Sequence, residues 1–314
     1  MIQVKQRVKM PKTNRSHRPS KGDVGAQSSR KKSIMRLLSF QEIPDWHKDN
    51  EFILHGYRPE FKSARACFNS LYYLHNETVN IYTHLIPAAL TILAEGFFFQ
   101  YLDKYYPKAT KADHIIFAFF ILTAVICYLI SSTYHTMMCH SEHISHLWLR
   151  VDFVGIVILT LGDFVSGIYL VFYCEPRLQK IYWSMILSLG AVCCFILLNP
   201  KYQGLKYRTF RALTFVCTGL SGFAPLAHGI KLFGFEQMMK QSGMPYYMLE
   251  GLLLIIGASF YATRIPESKW PGKFDIWFSS HQIFHVFVVL GTAVHWIGIV
   301  LAYDYNYTHR QCKA

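Results

Sequence analysis

Two histidines four residues apart, His281 and His285, open the last apolar run of the chain, in the string Ser280-His281-Gln282-Ile283-Phe284-His285. On a helix this spacing puts both imidazoles on one face, one turn apart and about 6 Å along the axis. The neighbouring Ile, Phe, Val and Leu offer them nothing polar, and an imidazole in a medium without water needs a hydrogen-bond partner or a metal ion. The spacing therefore reads as a chelating pair; the plain alternative is two interfacial histidines near a helix end. A second stretch, Ser131-Ser132-Thr133-Tyr134-His135, closes another apolar run, and Asp152 in Arg150-Val151-Asp152-Phe153 opens the next. Three neutral imidazoles at about 2.0–2.1 Å, with one water, form the open tetrahedral arrangement of a catalytic zinc site. His135, His281 and His285 are thus the candidate metal ligands. Ser131, one turn before His135 on the same helix face, is placed to reach a bound water or an attacked carbonyl.

Such residues must be positioned by membrane helices. Of 314 residues, 52% are hydrophobic and only 16% charged, too apolar a balance for an ordinary soluble domain. Apolar runs near 79–101, 115–138, 147–172, 181–198, 209–232, 246–263 and 279–303 each approach the ~20 residues that cross hydrocarbon as a helix. The expected fold is all-α, a seven-transmembrane helix bundle. Parity then brings the end of span two, the start of span three and the start of span seven to one side of the membrane. His135, Asp152, His281 and His285 can share one layer.

The net charge of +13 is concentrated in a tail, with eleven Lys or Arg against one acid, Asp23, in the first 36 residues. Next to a membrane segment, such a tail is attracted to an anionic cytoplasmic leaflet, by roughly 1 kcal/mol per basic residue close to the surface. No stacking aromatics interleave the basic residues, which argues against nucleic acid. Together with Lys201, Lys206, Arg208 and Arg211 the tail places the N-terminus in the cytoplasm and the C-terminus outside, opposite to G-protein-coupled receptors. The expected divisions are a disordered basic tail (1–40), a juxtamembrane segment with a short amphipathic helix (41–76), the membrane domain (77–304) and a C-terminal tail (305–314). The eight cysteines fall mostly in apolar runs and are expected to be unbridged small hydrophobes.

Other polar residues carry weaker signals. Glu77, Asn80 and His84 share a helix face and are placed to brace the metal layer. His140, His143 and His146 read as surface, Glu95 and Glu250 as interfacial, and Pro225 as a kink in span five. Asp163 lies about 16 Å deeper than Asp152 along one helix, and His295 about 15 Å beyond His285 along another, so the two are matched in depth. Either they pair, or a protonated Asp163 bonds a backbone carbonyl and His295 lies at the outer interface.

Several strings resemble the progestin and adipoQ receptor family, related to haemolysin III, and in particular its adiponectin-receptor-like and fungal members. They are His75-Asn76-Glu77-Thr78-Val79-Asn80-Ile81-Tyr82-Thr83-His84, Tyr134-His135 through Cys139-His140-Ser141, Asp152 with Gly155, and Arg264-Ile265-Pro266-Glu267 through Pro271-Gly272-Lys273-Phe274-Asp275 to Ser280–His285. The resemblance covers about residues 45–303. It implies zinc on His135, His281 and His285, with Asp152 holding the zinc-bound water. The Ser-x-x-x-His, Asp and His-x-x-x-His pattern is also similar to that of alkaline ceramidases. The expectation is an integral protein of the plasma membrane or endoplasmic reticulum that responds to an extracellular protein ligand and hydrolyses ceramide-like lipid amides to a free fatty acid. Asp152 would deprotonate the water and Ser131 would donate to the oxyanion. A receptor with purely structural zinc and a zinc transporter or channel stand as alternatives.

Overall fold

The computed structural model describes residues 36–202, 205–310 and 312. Among them, seven helices are long and apolar enough to span a membrane: Thr78–Tyr105, Lys111–Met137, Glu142–Val171, Pro176–Leu198, Thr209–Phe233, Met244–Thr263 and Ser280–His309. These are spans one to seven. Each matches the corresponding apolar run to within one residue or extends beyond it, because polar caps outside the hydrocarbon set the ends. Span two begins at Lys111, where Thr110 and Asp113 form a reciprocal capping box, rather than at its first apolar residues. Span seven begins at Ser280 behind a second box, in which the Ser279 side chain meets the backbone of Gln282 and the Gln282 side chain returns to Ser279. Its last turn reaches His309, past the expected boundary at 304.

Span five is two helices, Arg208–Leu220 and Phe223–Phe233, broken at Ser221–Gly222. Pro225 is the cause: it has no N–H for the Ser221 carbonyl and its ring crowds that carbonyl, so the break falls one turn before the proline. Spans two and three pack closely enough that a Cβ on Gly162 would fall within 2 Å of the Thr123 hydroxyl, at 1.9 Å.

A strap lies across the end of the bundle where spans two and three meet and span seven begins. Leu38 and Tyr57 pair as an isolated antiparallel bridge, Ala64–Asn69 forms a short helix, and the chain then turns into span one. Arg58, 1% exposed, donates to the carbonyls of His135 at 2.6 Å and Thr136 at 3.0 Å and to the Ser70 hydroxyl at 2.7 Å. With Met138 N–H on the Tyr134 carbonyl and His140 N–H on that of Met137, all four terminal carbonyls of span two have donors. The segment before span seven grips the same strap. The buried Glu267 carboxylate accepts from Ser280 N–H at 2.8 Å, from the Ser280 hydroxyl and from Asn50 at 3.1 Å. Asp275 accepts from Leu54 N–H at 2.8 Å. A carboxylate at a helix N-terminus is favoured by both the free N–H groups and the helix dipole.

Two expectations change. Residues 36–40, placed in the disordered tail, belong to the strap; the rest of that expectation, residues 1–35, lies outside the described residues. Cys174 and Cys312 form a disulfide, against the expectation of no bridges. The argument from apolar runs holds for Cys127, Cys193 and Cys194, which are free thiols within spans. It does not reach Cys174 and Cys312, which sit in polar flanks at the far end of the bundle, where Arg310 also pairs with Glu175 at 2.8 Å.

Disulfides persist in oxidising compartments. The Cys174–Cys312 end is therefore expected to be exoplasmic and the strap cytoplasmic, in agreement with the charge bias. In cells whose plasma membrane alone is permeabilised, an N-terminal epitope tag should bind antibody whichever membrane the protein occupies; N-terminal reactivity only from the exoplasmic or lumenal side would invert the assignment.

Burial, aided by the Arg58 charge and opposed by Glu77, pushes the His47 imidazole down from 6.5 to about 4. An opened strap binds this proton below pH 6.5 whereas the closed strap does so only near pH 4, so closure weakens as pH falls through that window. The full effect is on the order of 3 kcal/mol. Amide exchange across residues 36–58 should accelerate between pH 6.5 and 4 after correction for intrinsic rates, and His47→Gln should flatten the response.

Candidate metal centre

His135 at the end of span two and His281 and His285 at the start of span seven come together. One ligating nitrogen from each lies within 4.8 Å of the other two. Ring centroids are 5.0 Å apart for His135 and His281, 4.9 Å for His135 and His285, and 4.7 Å for His281 and His285. These three were the ligands expected from spacing and parity.

The second nitrogen of two of these rings is occupied, which decides where the first one points. Nδ1 of His135 donates to the Glu77 carboxylate at 2.8 Å. Nδ1 of His285 donates to the Asn80 carbonyl at 3.1 Å and lies 3.2 Å from the Thr83 hydroxyl. A carbonyl only accepts, so His285 carries its proton on Nδ1 and presents the Nε2 lone pair. Nε2 of His135 is buried with no hydrogen-bond partner. An orphaned imidazole nitrogen beside two other imidazoles is what a metal ligand looks like without its ion, and the donor set suits zinc. A carboxylate behind a ligating histidine raises its basicity and fixes its ring.

Glu77 is itself held by Asn80, which donates at 2.7 Å. Burial would push the Glu77 carboxyl up, but the hydrogen bonds from His135 and Asn80 and the charge of Arg58 more than offset this and keep it below the ordinary carboxylate range. His84 stacks flat on His285 at 3.9 Å. The bracing face expected at the start of span one is therefore in place. Arg58, which fixes the backbone under His135, carried no such signal: a basic residue in a polar strap gives no hint that it will be fully buried.

Asp152 and Ser131 sit beside this triad and outside its ligand set. Asp152 faces Ser131 and His135 from span three, and Ser131 is buried. His143 and His146 are exposed, as expected of surface residues. The deeper pairing is different from the one anticipated. His295 is 3% exposed, and its Nδ1 meets Glu250 at 2.7 Å; Asp163 lies close by with a buried oxygen that has no partner. Glu250, expected at the interface, is buried two turns inside span six, where it meets His295 from span seven.

Comparison with known proteins places these features in a family. Residues 72–296 match the family model described as haemolysin-III related. The ADIPOR-like receptor IZH2 of Saccharomyces cerevisiae is 39% identical over 279 residues, covering 87% of this chain and 86% of that protein. The progestin and adipoQ receptor-like protein 1 of Caenorhabditis elegans is 37% identical over 266 residues, 84% of this chain and 60% of the relative. The adiponectin receptor protein of Drosophila melanogaster is 35% identical over 277 residues, 88% of this chain and 62% of the relative. The matched region includes every residue of the histidine triad, Asp152, Ser131 and the Glu77–Asn80 brace. The chain belongs to the haemolysin-III-related family, as an adiponectin-receptor-like integral membrane protein with seven spans.

Proposed function

We propose that this protein is a receptor whose zinc site hydrolyses the amide bond of ceramide-like lipids, releasing a free fatty acid in response to an extracellular ligand. The observation that carries the reading is the division of labour around the triad. Three imidazoles converge, while one carboxylate and one hydroxyl stand next to them without joining the set. A site serving only to hold helices together has no use for an acid and a hydroxyl left beside it. Zinc held there supplies a Lewis acid and lowers the pKa of a water from 15.7 to about 7.

The protein's own residues do the rest. Asp152 orients the attacking water and accepts its proton, then delivers that proton to the departing amine. The Ser131 hydroxyl donates to the oxyanion that develops on the amide oxygen, a contribution worth roughly 3 kcal/mol per donor in other enzymes. Glu77 and Asn80 hold the His135 and His285 rings so that neither reorients during turnover. An apolar groove of about 400 Å³, lined by Val79, Tyr82, Thr83, Ile86, Pro87 and Trp277 among others, runs along span one beside this layer. Thr83 belongs both to this groove and to the His285 contact, so an acyl chain lying in the groove has its polar end near the triad.

His135→Ala, His281→Ala and His285→Ala should each lower the zinc content of purified protein by about one ion per chain relative to wild type, measured by elemental analysis. Glu77→Gln keeps the size of the side chain but loses the charge behind His135, and should weaken zinc affinity by about 10–100-fold. Unaltered affinity in a chelator competition would show that the contact is incidental.

Asp152→Ala should retain zinc yet lose hydrolysis by at least about 10–100-fold. Lipid mass spectrometry on reconstituted protein with a ceramide checks this directly. Turnover unchanged in Asp152→Ala would show that Asp152 is only structural, and turnover absent from zinc-loaded wild type would leave the metal a structural role.

A further inference from the structure

The cluster of Asp163, Glu250 and His295 takes no part in the site above. The three come from spans three, six and seven, and one ligating atom of each lies within 4.8 Å of the other two. The cluster is about 15 Å from the histidine triad, counting ten residues at 1.5 Å each from His285 to His295. Between the two layers lie Ala124, Cys127, Tyr128 and Leu159, buried and packed with Val288 and Val289. The layers are separate sites.

The cluster is built, and it is incomplete. His295 is sandwiched between Phe120 and Tyr247, with ring centroids 5.0 Å away on each side, which fixes its plane. Its Nδ1 meets Glu250 at 2.7 Å and its Nε2 lies 3.1 Å from the Ser166 hydroxyl. Both His295 and Glu250 are more than nine-tenths buried, at 3% and 8% exposure. One Asp163 oxygen and the Tyr247 hydroxyl are fully buried and have no hydrogen-bond partner. Tyr247 is aimed at the same region, since its hydroxyl lies against Gly167, one helical turn beyond Asp163. No lysine or arginine among the described residues pairs with either carboxylate; the ion pair formed there is the one between Glu250 and His295.

Two carboxylates side by side in hydrocarbon repel each other and are costly unless one binds a proton or something positive sits between them. A single imidazolium cannot balance two ionised carboxylates. A divalent cation can: Asp163, Glu250 and neutral His295 sum to two negative charges, and two carboxylates with one imidazole on one side of an ion suit first-row metals such as manganese, iron or zinc. We propose that Asp163, Glu250 and His295 form a second divalent-cation site, independent of the histidine triad, which ties spans three, six and seven together in mid-membrane. The Tyr247 hydroxyl and Ser166 stand next to the set and would orient its ligands, as hydrogen-bonded neighbours do in other metal sites.

The test counts cations in full-length, detergent-purified protein, stripped with chelator and re-equilibrated with micromolar zinc or manganese, by elemental mass spectrometry. His285→Ala disables the first site, so any ion it holds reports on the second. The proposal expects one cation per chain in His285→Ala and none in His285→Ala/Asp163→Asn. It also expects added cation to raise the thermal midpoint of the first variant and not of the second. A folded His285→Ala protein that holds no cation overturns the proposal, as does an equal cation content in both variants. Should the double variant fail to fold, wild type decides: two cations per chain support the second site, and a single one overturns it. Failure here would leave the reading of the histidine triad untouched, because that reading rests on metal lost from wild type when His135, His281 or His285 is replaced.

Discussion

An imidazole in hydrocarbon is costly unless its ring nitrogens find partners, and that pressure shapes the layer of His135, His281 and His285; His84, stacked on His285, is buried with neither ring nitrogen hydrogen-bonded. A buried polar group without a partner costs on the order of 1–3 kcal/mol, and three of them at one depth would be a severe burden on a membrane bundle. The histidine layer meets the cost at two of its rings by dividing each of them in two. The outer nitrogens of His135 and His285 are taken by Glu77 and by the Asn80 carbonyl, and their inner nitrogens are left to converge. Once the outer bonds are made, the tautomers and ring planes follow, and so does the direction in which the lone pairs point. The start of span one is thus polar for a reason external to span one.

The layer lies at helix ends, and helix ends are where backbone groups go unpaired. Span two finishes two residues after His135 and span seven starts one residue before His281. Both ends are held by long-range side chains: Arg58 on the carbonyls of one, Glu267 on the N–H groups of the other. The charges are placed as the helix dipoles favour, cation at a C-terminus and anion at an N-terminus. Asn50 on Glu267 and Leu54 on Asp275 then join the two clamps through the strap. Precision at the histidine layer therefore comes from a polar segment outside the spans. That is the economical arrangement, because long side chains and irregular backbone can be satisfied there without violating the rule that backbone in lipid must be helical.

How much of this was legible in the sequence follows from the range of each signal. Helical periodicity and apolar length are local, and they predict seven spans; i, i+4 spacing is local, and it predicts the faces shared by His281 with His285 and by Ser131 with His135. Parity converts those local facts into a common depth. What escaped was whatever depends on partners distant in the chain. Arg58 and His135 are 77 residues apart, and nothing near Arg58 announces burial. Cys174 and Cys312 are separated by 138 residues, and an argument from residue environment cannot pair them. Glu250 was misread for another reason. A carboxylate in an apolar span has two solutions, reaching for water or finding a buried partner, and choosing between them requires knowing that His295 faces it from span seven.

The two polar layers bear on the choice between catalysis and transit. A path for zinc through this bundle would need ligands at intervals an ion can hop, with water or polar side chains between. Here the histidine layer and the Asp163–Glu250–His295 layer are separated by Ala124, Cys127, Tyr128, Leu159, Val288 and Val289, packed on one another. Moving a divalent ion across such a plug strips its ligands before new ones are in reach, at a desolvation cost far above thermal energy. A site closed on its deep side and lined by a groove on its lipid side is instead suited to a reactant that arrives laterally from the bilayer. On the proposed function, the acyl chain of a lipid lies in the apolar surroundings of span one and only its polar linkage reaches the layer of Asp152 and Ser131. The same apolar plug that blocks an ion leaves such a molecule no obstacle, so the placement of polarity favours lipid chemistry over ion passage.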